Sequence, residues 1–406
     1  MKKNFLIFIF ILILLPLTAG AADFGIVLNQ NITAANFTGE NNVFEYRAEL
    51  LPRFSALIDD IRSFNITAGL SFEVRDSAFT FIPQILNAEY LTRFDILDGI
   101  WLKAGRMSYI DPLGFIAEGV YDGVHAAHAS SLGRFGFGLW YTGLLYKKNI
   151  NIEMSDRDRG HNDLSLNYND FFNTYFASKR FLAAIDYEHP FLLETITIKA
   201  SIMAQFDLNG ESESINSQYL SLKAGLPVGK FLFEAGGILQ LAQIENPPNN
   251  ANTIAFAGDL GVFWFPSENS LLSFKWQIAG GQTSETMGAF IPVVSKHQGR
   301  LFQPILSALT VLKLNYTVRL SEAMGINAYI SYFIRNDKAS YNNFNITVGE
   351  TGYFLGPEIY ARFVYNPFSD LQFNLGAGIF APVLGDVAPN DNLQWRVDLS
   401  VIFSIY

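Results

Sequence analysis

The chain has 406 residues, with 28 Lys and Arg against 38 Asp and Glu, 37 phenylalanines and no cysteine. Without cysteine it has no disulfide, no thiolate metal site and no lipidated cysteine at a processing site, and a formal charge of −10 makes it a poor partner for nucleic acid. Past the first residues no run of 18 apolar side chains occurs, which argues against membrane-spanning helices and leaves spanning strands open.

The amino terminus reads Met1-Lys2-Lys3, then eleven apolar residues from Phe5 to Leu15, then Ala19-Gly20-Ala21. A basic start, a short greasy segment and a small-residue site predict a secretory signal peptide over 1–21, cleaved after Ala21. The apolar run falls short of the roughly 20 residues a spanning helix needs. Losing Lys2 and Lys3 leaves 26 basic residues against 38 acidic ones, or −12. Strand signal begins within a few residues of that site, so 22–406 reads as one domain with no plug domain before it.

Ser63–Arg75 displays the pattern the rest repeats. Phe64, Ile66, Ala68, Leu70, Phe72 and Val74 alternate with Asn65, Thr67, Gly69, Ser71 and Glu73. Side chains of a strand point alternately to two faces, so one face is oily and the other wet. Eighteen such segments lie near 23–33, 43–55, 63–75, 84–95, 99–109, 120–130, 133–146, 172–187, 192–208, 215–226, 230–244, 252–265, 270–282, 305–320, 323–336, 352–365, 369–381 and 392–406. The number falls to sixteen if 23–33 and 120–130 are not strands.

Short turns follow every second segment: 58–61, 96–98, Ser131-Leu132, Glu188-His189-Pro190, Pro227-Val228-Gly229, 266–269, Ser321-Glu322 and Asn366-Pro367-Phe368. The other connections are longer and polar, notably 147–171, 283–304 and 337–351. This alternation predicts an all-β fold, a transmembrane antiparallel β-barrel of about 18 strands with its short turns and both termini on the periplasmic side. A closed barrel satisfies every backbone group without an exposed edge, as lipid demands. In the last segment Leu393, Trp395, Val397, Leu399, Val401, Phe403 and Ile405 share one face, and the chain stops at Tyr406. A terminal aromatic after such a strand resembles the signal read by the bacterial barrel-assembly machinery, although Tyr406 is out of phase with the apolar face.

In a lipid-facing barrel the polar face lines the lumen. That rule turns Glu45, Arg47, Glu49, Arg53, Glu73, Arg75, Glu89, Arg93 and Asp95 inward from the early strands. Lys199, Lys223, Glu234, Asp259, Lys275, Lys313, Arg319, Arg335, Glu358, Arg362, Arg396 and Asp398 follow from the later ones. The lumen then holds about twelve cations against nine anions, while Asp156, Asp158, Asp163, Asp170, Glu211, Glu213, Glu245, Glu285, Asp386 and Asp391 put the excess acid in loops and turns. Two readings stay open. Lumenal Lys and Arg select anions, or they pair with the neighbouring acids and only wet the interior.

Two short patterns stand apart: Leu102-Lys103-Ala104-Gly105-Arg106 followed by Val120-Tyr121-Asp122-Gly123-Val124, and Leu355-Gly356-Pro357-Glu358. They resemble the alginate-export family of 18-stranded outer-membrane porins. The resemblance implies a basic lumen used by an anionic or sugar-like solute, and it places Arg106 and Asp122 close together on adjacent strands. The expected pore lining is therefore Arg47, Arg75, Arg93, Arg106, Asp122, Lys199, Lys223, Lys275, Lys313, Arg335, Arg362 and Arg396.

Signals for catalysis are weak. His125 and His128 are three apart on a strand and face opposite ways, and Asp156–Asp163 lacks the ligand spacing of a calcium loop, so it reads as a solvated external loop. No nucleophile elbow, zinc motif or phosphate loop occurs. The expectation is a non-enzymatic outer-membrane channel, without cofactor or metal, for small or linear hydrophilic solutes, anionic saccharides among them. The alternative is a non-conducting surface protein whose loops bind a host or matrix partner. The 283–304 loop, with Lys296, His297 and Arg300, is the candidate for a segment that folds in to narrow the pore.

Overall fold

The computed structural model describes residues 21–36, 42–75, 78–94, 99–210, 213–245, 250–282, 286–338, 351–388 and 390–405. The leader up to residue 20, Asp95 with the 96–98 turn, Glu211, Glu285, residues 339–350 and Tyr406 lie outside them.

Eighteen strands form: β1 (Ala21–Asn36), β2 (Val43–Asp59), β3 (Arg62–Arg75), β4 (Ala78–Phe94), β5 (Ile100–Ile110), β6 (Glu118–Ser130), β7 (Gly133–Tyr141), β8 (Arg180–Leu192) and β9 (Ile196–Asp207). The second half comprises β10 (Ser214–Val228), β11 (Phe231–Glu245), β12 (Ala251–Ser267), β13 (Ser270–Ala279), β14 (Leu309–Arg319), β15 (Met324–Arg335), β16 (Phe354–Phe368), β17 (Leu371–Phe380) and β18 (Gln394–Ile405). Each pairs antiparallel with the next, and β18 pairs with β1 from Ile26↔Ile405 to Asn36↔Trp395. The sheet closes on itself, so the backbone groups of its first and last strands satisfy each other.

The two-residue period sorts the faces as the sequence predicts. On β10, Leu220, Leu222 and Leu226 are exposed outside while Ser217, Tyr219 and Ser221 are buried inside. Val397, Leu399, Phe403 and Ile405 on β18 are likewise exposed. Repeated round the wall, these side chains make an apolar outer belt of the kind that lipid covers.

Four turns sit further along the chain than their prolines suggest. Pro190, Pro227, Pro266 and Pro367 lie inside β8, β10, β12 and β16. Three coincide with register shifts, between His189 and Leu192, Trp264 and Ser267, and Tyr365 and Phe368. Pro227 lies beyond Gly225, the last β10 residue paired with β9. A residue without an N–H is tolerated at a bulge or a free edge, so these prolines fray strand ends rather than making the turns.

The other differences arise where connections enter the barrel. The segment read as strand over 133–146 ends at Tyr141, that over 172–187 begins at Arg180, and that over 305–320 begins at Leu309. Residues 111–117, 142–179 and 286–308 turn inward instead. Phe115, Ile116, Leu145, Ile150, Phe290, Val293 and Leu306 form an apolar cluster with Tyr121, Trp140, Leu182, Met203 and Tyr219 of the inner wall. The lumen is thus partly filled by protein.

Candidate functional site

The shortest inward segment is organised by Asp111. Its carboxylate accepts backbone N–H groups from Gly114 at 3.0 Å, Ile116 at 2.9 Å and Ala117 at 2.8 Å, winding 111–117 into a tight turn. The carbonyl of Ile116 then accepts the N–H groups of Val293 and Val294 at 2.9 and 3.0 Å. On its far side the 286–308 segment is held by Gln240 and Tyr219, whose side chains bond the backbone of Ile291 at 2.7 to 3.1 Å. Asn151 closes the arrangement, accepting from the Ser295 N–H at 2.9 Å and donating to the Ser295 carbonyl at 3.0 Å. From residue 286 on, the candidate constriction loop does fold in, clasped between two other segments.

Its later half is fixed by Glu358 on β16. This fully buried carboxylate accepts the N–H groups of Arg300 at 2.7 Å, Leu301 at 3.1 Å and Phe302 at 2.8 Å, and the Tyr329 hydroxyl at 2.7 Å. Gly356, two residues earlier, has φ +117°, and a Cβ there would come within 2.5 Å of the Ala381 carbonyl oxygen. The Leu355-Gly356-Pro357-Glu358 motif therefore has a local role: it shapes β16 and presents the carboxylate on which the loop is seated. Arg300 then reaches Asp398 at 3.5 Å, beside Arg396.

The 142–179 insertion contains the helix Asp156–Asp163, capped by Ser155. This corrects the expectation of a solvated loop. Asp158 and Arg180 are fully buried and paired at 2.5 Å, and Asp207 takes Arg180 at 3.0 Å and Arg157 at 2.6 Å. Of the acids that suggested solvent exposure, Asp158 anchors the insertion to β8, while Asp156 and Asp163 remain exposed. Lys147, buried in the same insertion, donates to the His161 carbonyl at 2.8 Å, and burial pushes its ammonium pKa down to about 8.

Where the segments meet, a cavity of about 490 Å³ opens among Glu118, Lys148, Glu153, Ser295, Lys296 and His297. A larger one of about 760 Å³ lies against β5 to β10, lined by Tyr109, His125, Arg134, Asp186, Lys199 and Lys223 among others. Glu118 lines both and forms an ion pair with Lys296, so that pair stands where the two spaces join.

The predicted lining residues divide by partner. Arg47 pairs with Glu73 at 3.0 Å, Lys199 with Glu188 at 3.3 Å, Lys223 with Glu234 at 3.0 Å and Arg396 with Asp398 at 2.8 Å. Arg75 stands opposite Glu45 at the top of β3, Arg93 lies over the Trp101 ring at 5.6 Å, and Arg362 donates to Asn374 at 2.7 Å. Lys275 and Lys313 are directly opposite each other on β13 and β14. Neither has a carboxylate in ion-pair range among the described residues; Lys313 lies 3.9 Å from the Tyr329 ring centroid and Lys275 5.3 Å from that of Phe263.

Three members of the set stand elsewhere. Arg335 is 1% exposed and its guanidinium bonds the carbonyls of Gly352 and Thr351, so it braces the β15–β16 connection instead of facing the lumen. Arg106 and Asp122 do meet, at 2.8 Å. They lie, however, on the face opposite Met107 and Tyr121, which are buried inside, because adjacent strand residues point opposite ways. Conversely, Lys103, Arg134 and His125 lie on the inner face and were overlooked. Strict alternation with Met107, Trp140 and Tyr121 identifies all three.

No protein-family model matches the chain, and no curated protein matches it. Its fold is similar to that of solved bacterial porins. A BenF-like porin from Pseudomonas fluorescens Pf-5 superposes with a TM-score of 0.61 at 9% identity, over 96% of this chain and all of that one. OccK2 (OpdF) of Pseudomonas aeruginosa, solved in complex with glucuronate, gives 0.59 at 11% identity over 96% of this chain and 100% of its own. OprD of the same species gives 0.59 at 11% identity, over 95% of this chain and 93% of its own. These are 18-strand porin folds, and they lend no support to the narrower alginate-export assignment.

Proposed function

We propose that the chain is a passive channel of the bacterial outer membrane for small hydrophilic solutes, with a preference for anions such as sugar acids. The observation that carries this reading is a closed barrel, apolar outside, whose inward segments leave cavities lined by charged side chains between them and the wall. Lys275 and Lys313 support the preference. Like charges directly opposite in a ladder are destabilising, and two unpaired ammonium groups in a low-dielectric wall raise the local concentration of anions. The glucuronate bound by OccK2 supports the choice of solute class. On this reading residues 1–21 are the export leader, the bilayer is the permanent partner, the assembly machinery is met on the way in, and no catalysis is involved.

The test is reconstitution in planar bilayers. Unitary conductance steps and an anion-selective reversal potential under a salt gradient are expected, with smaller currents in the presence of glucuronate. Absence of steps from correctly folded barrels would favour the alternative of a surface protein with a closed barrel. The apolar cluster of loops on the β6–β12 side gives that alternative its physical basis.

A further inference from the structure

The wall is not paired over its full height. β4 and β5 form a ladder only from Ala88↔Arg106 to Phe94↔Ile100, yet β4 extends back to Ala78 and β5 on to Ile110. Along the uncovered edge of β4, successive alternate carbonyls are met by groups from elsewhere. The Tyr168 hydroxyl donates to Phe81, the Tyr175 hydroxyl to Pro83 at 2.6 Å, and Arg106 Nη1 to Ile85 at 2.7 Å.

Both strands are built to part here. β4 carries an extra residue, Leu86, where its register with β3 shifts between Thr67 and Ala68. β5 carries Gly105 at φ +111°, where a Cβ would come within 2.1 Å of the Ala88 carbonyl oxygen. The N–H and C=O of a strand residue point to the same side, so Pro83 has no donor to offer β5. A bulge, a left-handed glycine and a proline within one short stretch fix the gap in the sequence itself.

The gap holds a cavity of about 230 Å³, lined by Ile85, Leu86 and Val120 of the wall and by Leu145, Tyr146 and Ile150 of the 142–179 insertion. Ile85 is exposed on the outer surface, whereas Leu145 and Ile150 belong to the luminal cluster, so the cavity is lined from both sides of the wall. Its two polar lining residues are engaged: the Asn149 amide donates to Gln84 at 2.6 Å, and Arg106 has no charge to spare. Arg106 gives Nε and Nη2 to Asp122, Nη2 also to the Leu144 carbonyl and Nη1 to Ile85. Phe79, Leu144, Tyr168 and Phe172 stand exposed around it, aromatic and apolar as at a membrane interface.

We propose that this notch seats the acyl chain of a lipid from the surrounding bilayer, which enters between β4 and β5 and reaches Leu145 and Ile150. An apolar slot without a free cation suits a hydrocarbon chain better than a free fatty acid, whose carboxylate would find no partner inside. The inference rests on the barrel standing in a membrane.

The experiment places a photoreactive benzophenone side chain at Ile150, at Leu222 on the outer wall or at Leu306 in the luminal cluster. Each full-length barrel is reconstituted in vesicles of phosphatidylethanolamine and phosphatidylglycerol, and adducts are read by mass spectrometry. Lipid adducts are expected at Leu222 and Ile150 and not at Leu306. Val120→Trp, which fills the slot, should lower the Ile150 adduct about tenfold and leave that at Leu222 unchanged. Native mass spectra of the barrel without any probe should show one retained lipid fewer in Val120→Trp than in the parent, which covers the case of a probe that disturbs folding. Lipid at Leu222 but not at Ile150, with equal lipid retention in the two native spectra, overturns the inference alone. No lipid at either position overturns the membrane placement with it. An Ile150 adduct formed only when free oleate is added overturns the bilayer lipid as its source.

Discussion

Glu358→Gln isolates what holds the constriction loop. One carboxylate oxygen accepts from Arg300 N and the Tyr329 hydroxyl, the other from Leu301 N and Phe302 N. In the amide the NH₂ group settles on the Arg300–Tyr329 side, where the Tyr329 hydroxyl can turn to accept from it, so the Arg300 N–H is the donor left without a partner. A buried donor left unsatisfied costs about 1–3 kcal/mol, and that is the penalty. Every 1.4 kcal/mol is tenfold in population, so the fraction of time that residues 298–303 spend detached should rise by about fivefold at least. The β15–β16 and β16–β17 ladders stay intact, so the barrel should keep its heat-modifiable migration on gels. Hydrogen exchange at the amides of Arg300, Leu301 and Phe302 reads the effect directly, and single-channel records should show larger, noisier steps. Unchanged protection at those three amides would refute the reasoning, whatever the conductance did.

Four further outcomes follow from the same structure. Replacing Lys275 and Lys313 together by Glu should lower the ratio of anion to cation permeability about two- to fivefold, read from the reversal potential under a salt gradient. Arg335→Gln, by contrast, should leave selectivity alone while loosening the β15–β16 connection, because its guanidinium is buried against backbone carbonyls; limited proteolysis after residue 335 measures that. Asp158→Ala leaves Arg180 buried with only Asp207 opposite, a change of the kind that costs about 3–5 kcal/mol, and should make the 142–179 insertion sensitive to protease in an otherwise folded barrel. Lys147 is held at about 8, below its ordinary 10.5. Between those values only the detached insertion keeps its proton, so attachment strengthens as pH rises from 8 to 10.5, by up to about 3 kcal/mol. Denaturant midpoints of the insertion across that window should climb in the parent and stay flat in Lys147→Met.

The barrel was legible because lipid imposes a rule on every strand at once. Leu220, Leu222, Val397 and Leu399 must all face out, and a period of two carries that information without any knowledge of neighbours. The same rule gave the inward side of Lys275, Glu358 and Arg396. Arg106 and Asp122 were placed in the lumen by a family resemblance and not by that rule, and parity with Tyr121 puts the pair in the wall. Pairing was not legible, because it depends on register: Lys223 meets Glu234 only because Leu222 stands opposite Gly237 and Lys223 opposite Gly236 in the ladder between them. Nor could alternation distinguish an inward residue facing water from one like Arg335, covered by a loop.

The inward course of the loops left a trace that charge obscured. Residues 283–304 contain Ser, Lys, His, Gln and Arg, the composition of a solvated loop, yet Phe290, Ile291, Val293 and Val294 stand together in their midst. A loop in water gains nothing from four such neighbours; one that crosses a barrel needs them to bury against Ile116 and the wall. The buried face is what brings Lys296, His297 and Arg300 to their places, because a charged side chain holds a position in a wide lumen only if its backbone is anchored elsewhere. Selectivity and anchoring therefore rest on different residues of one segment. A sequence that exchanged the charges while keeping the apolar four and Glu358 should change the solute without changing the fold.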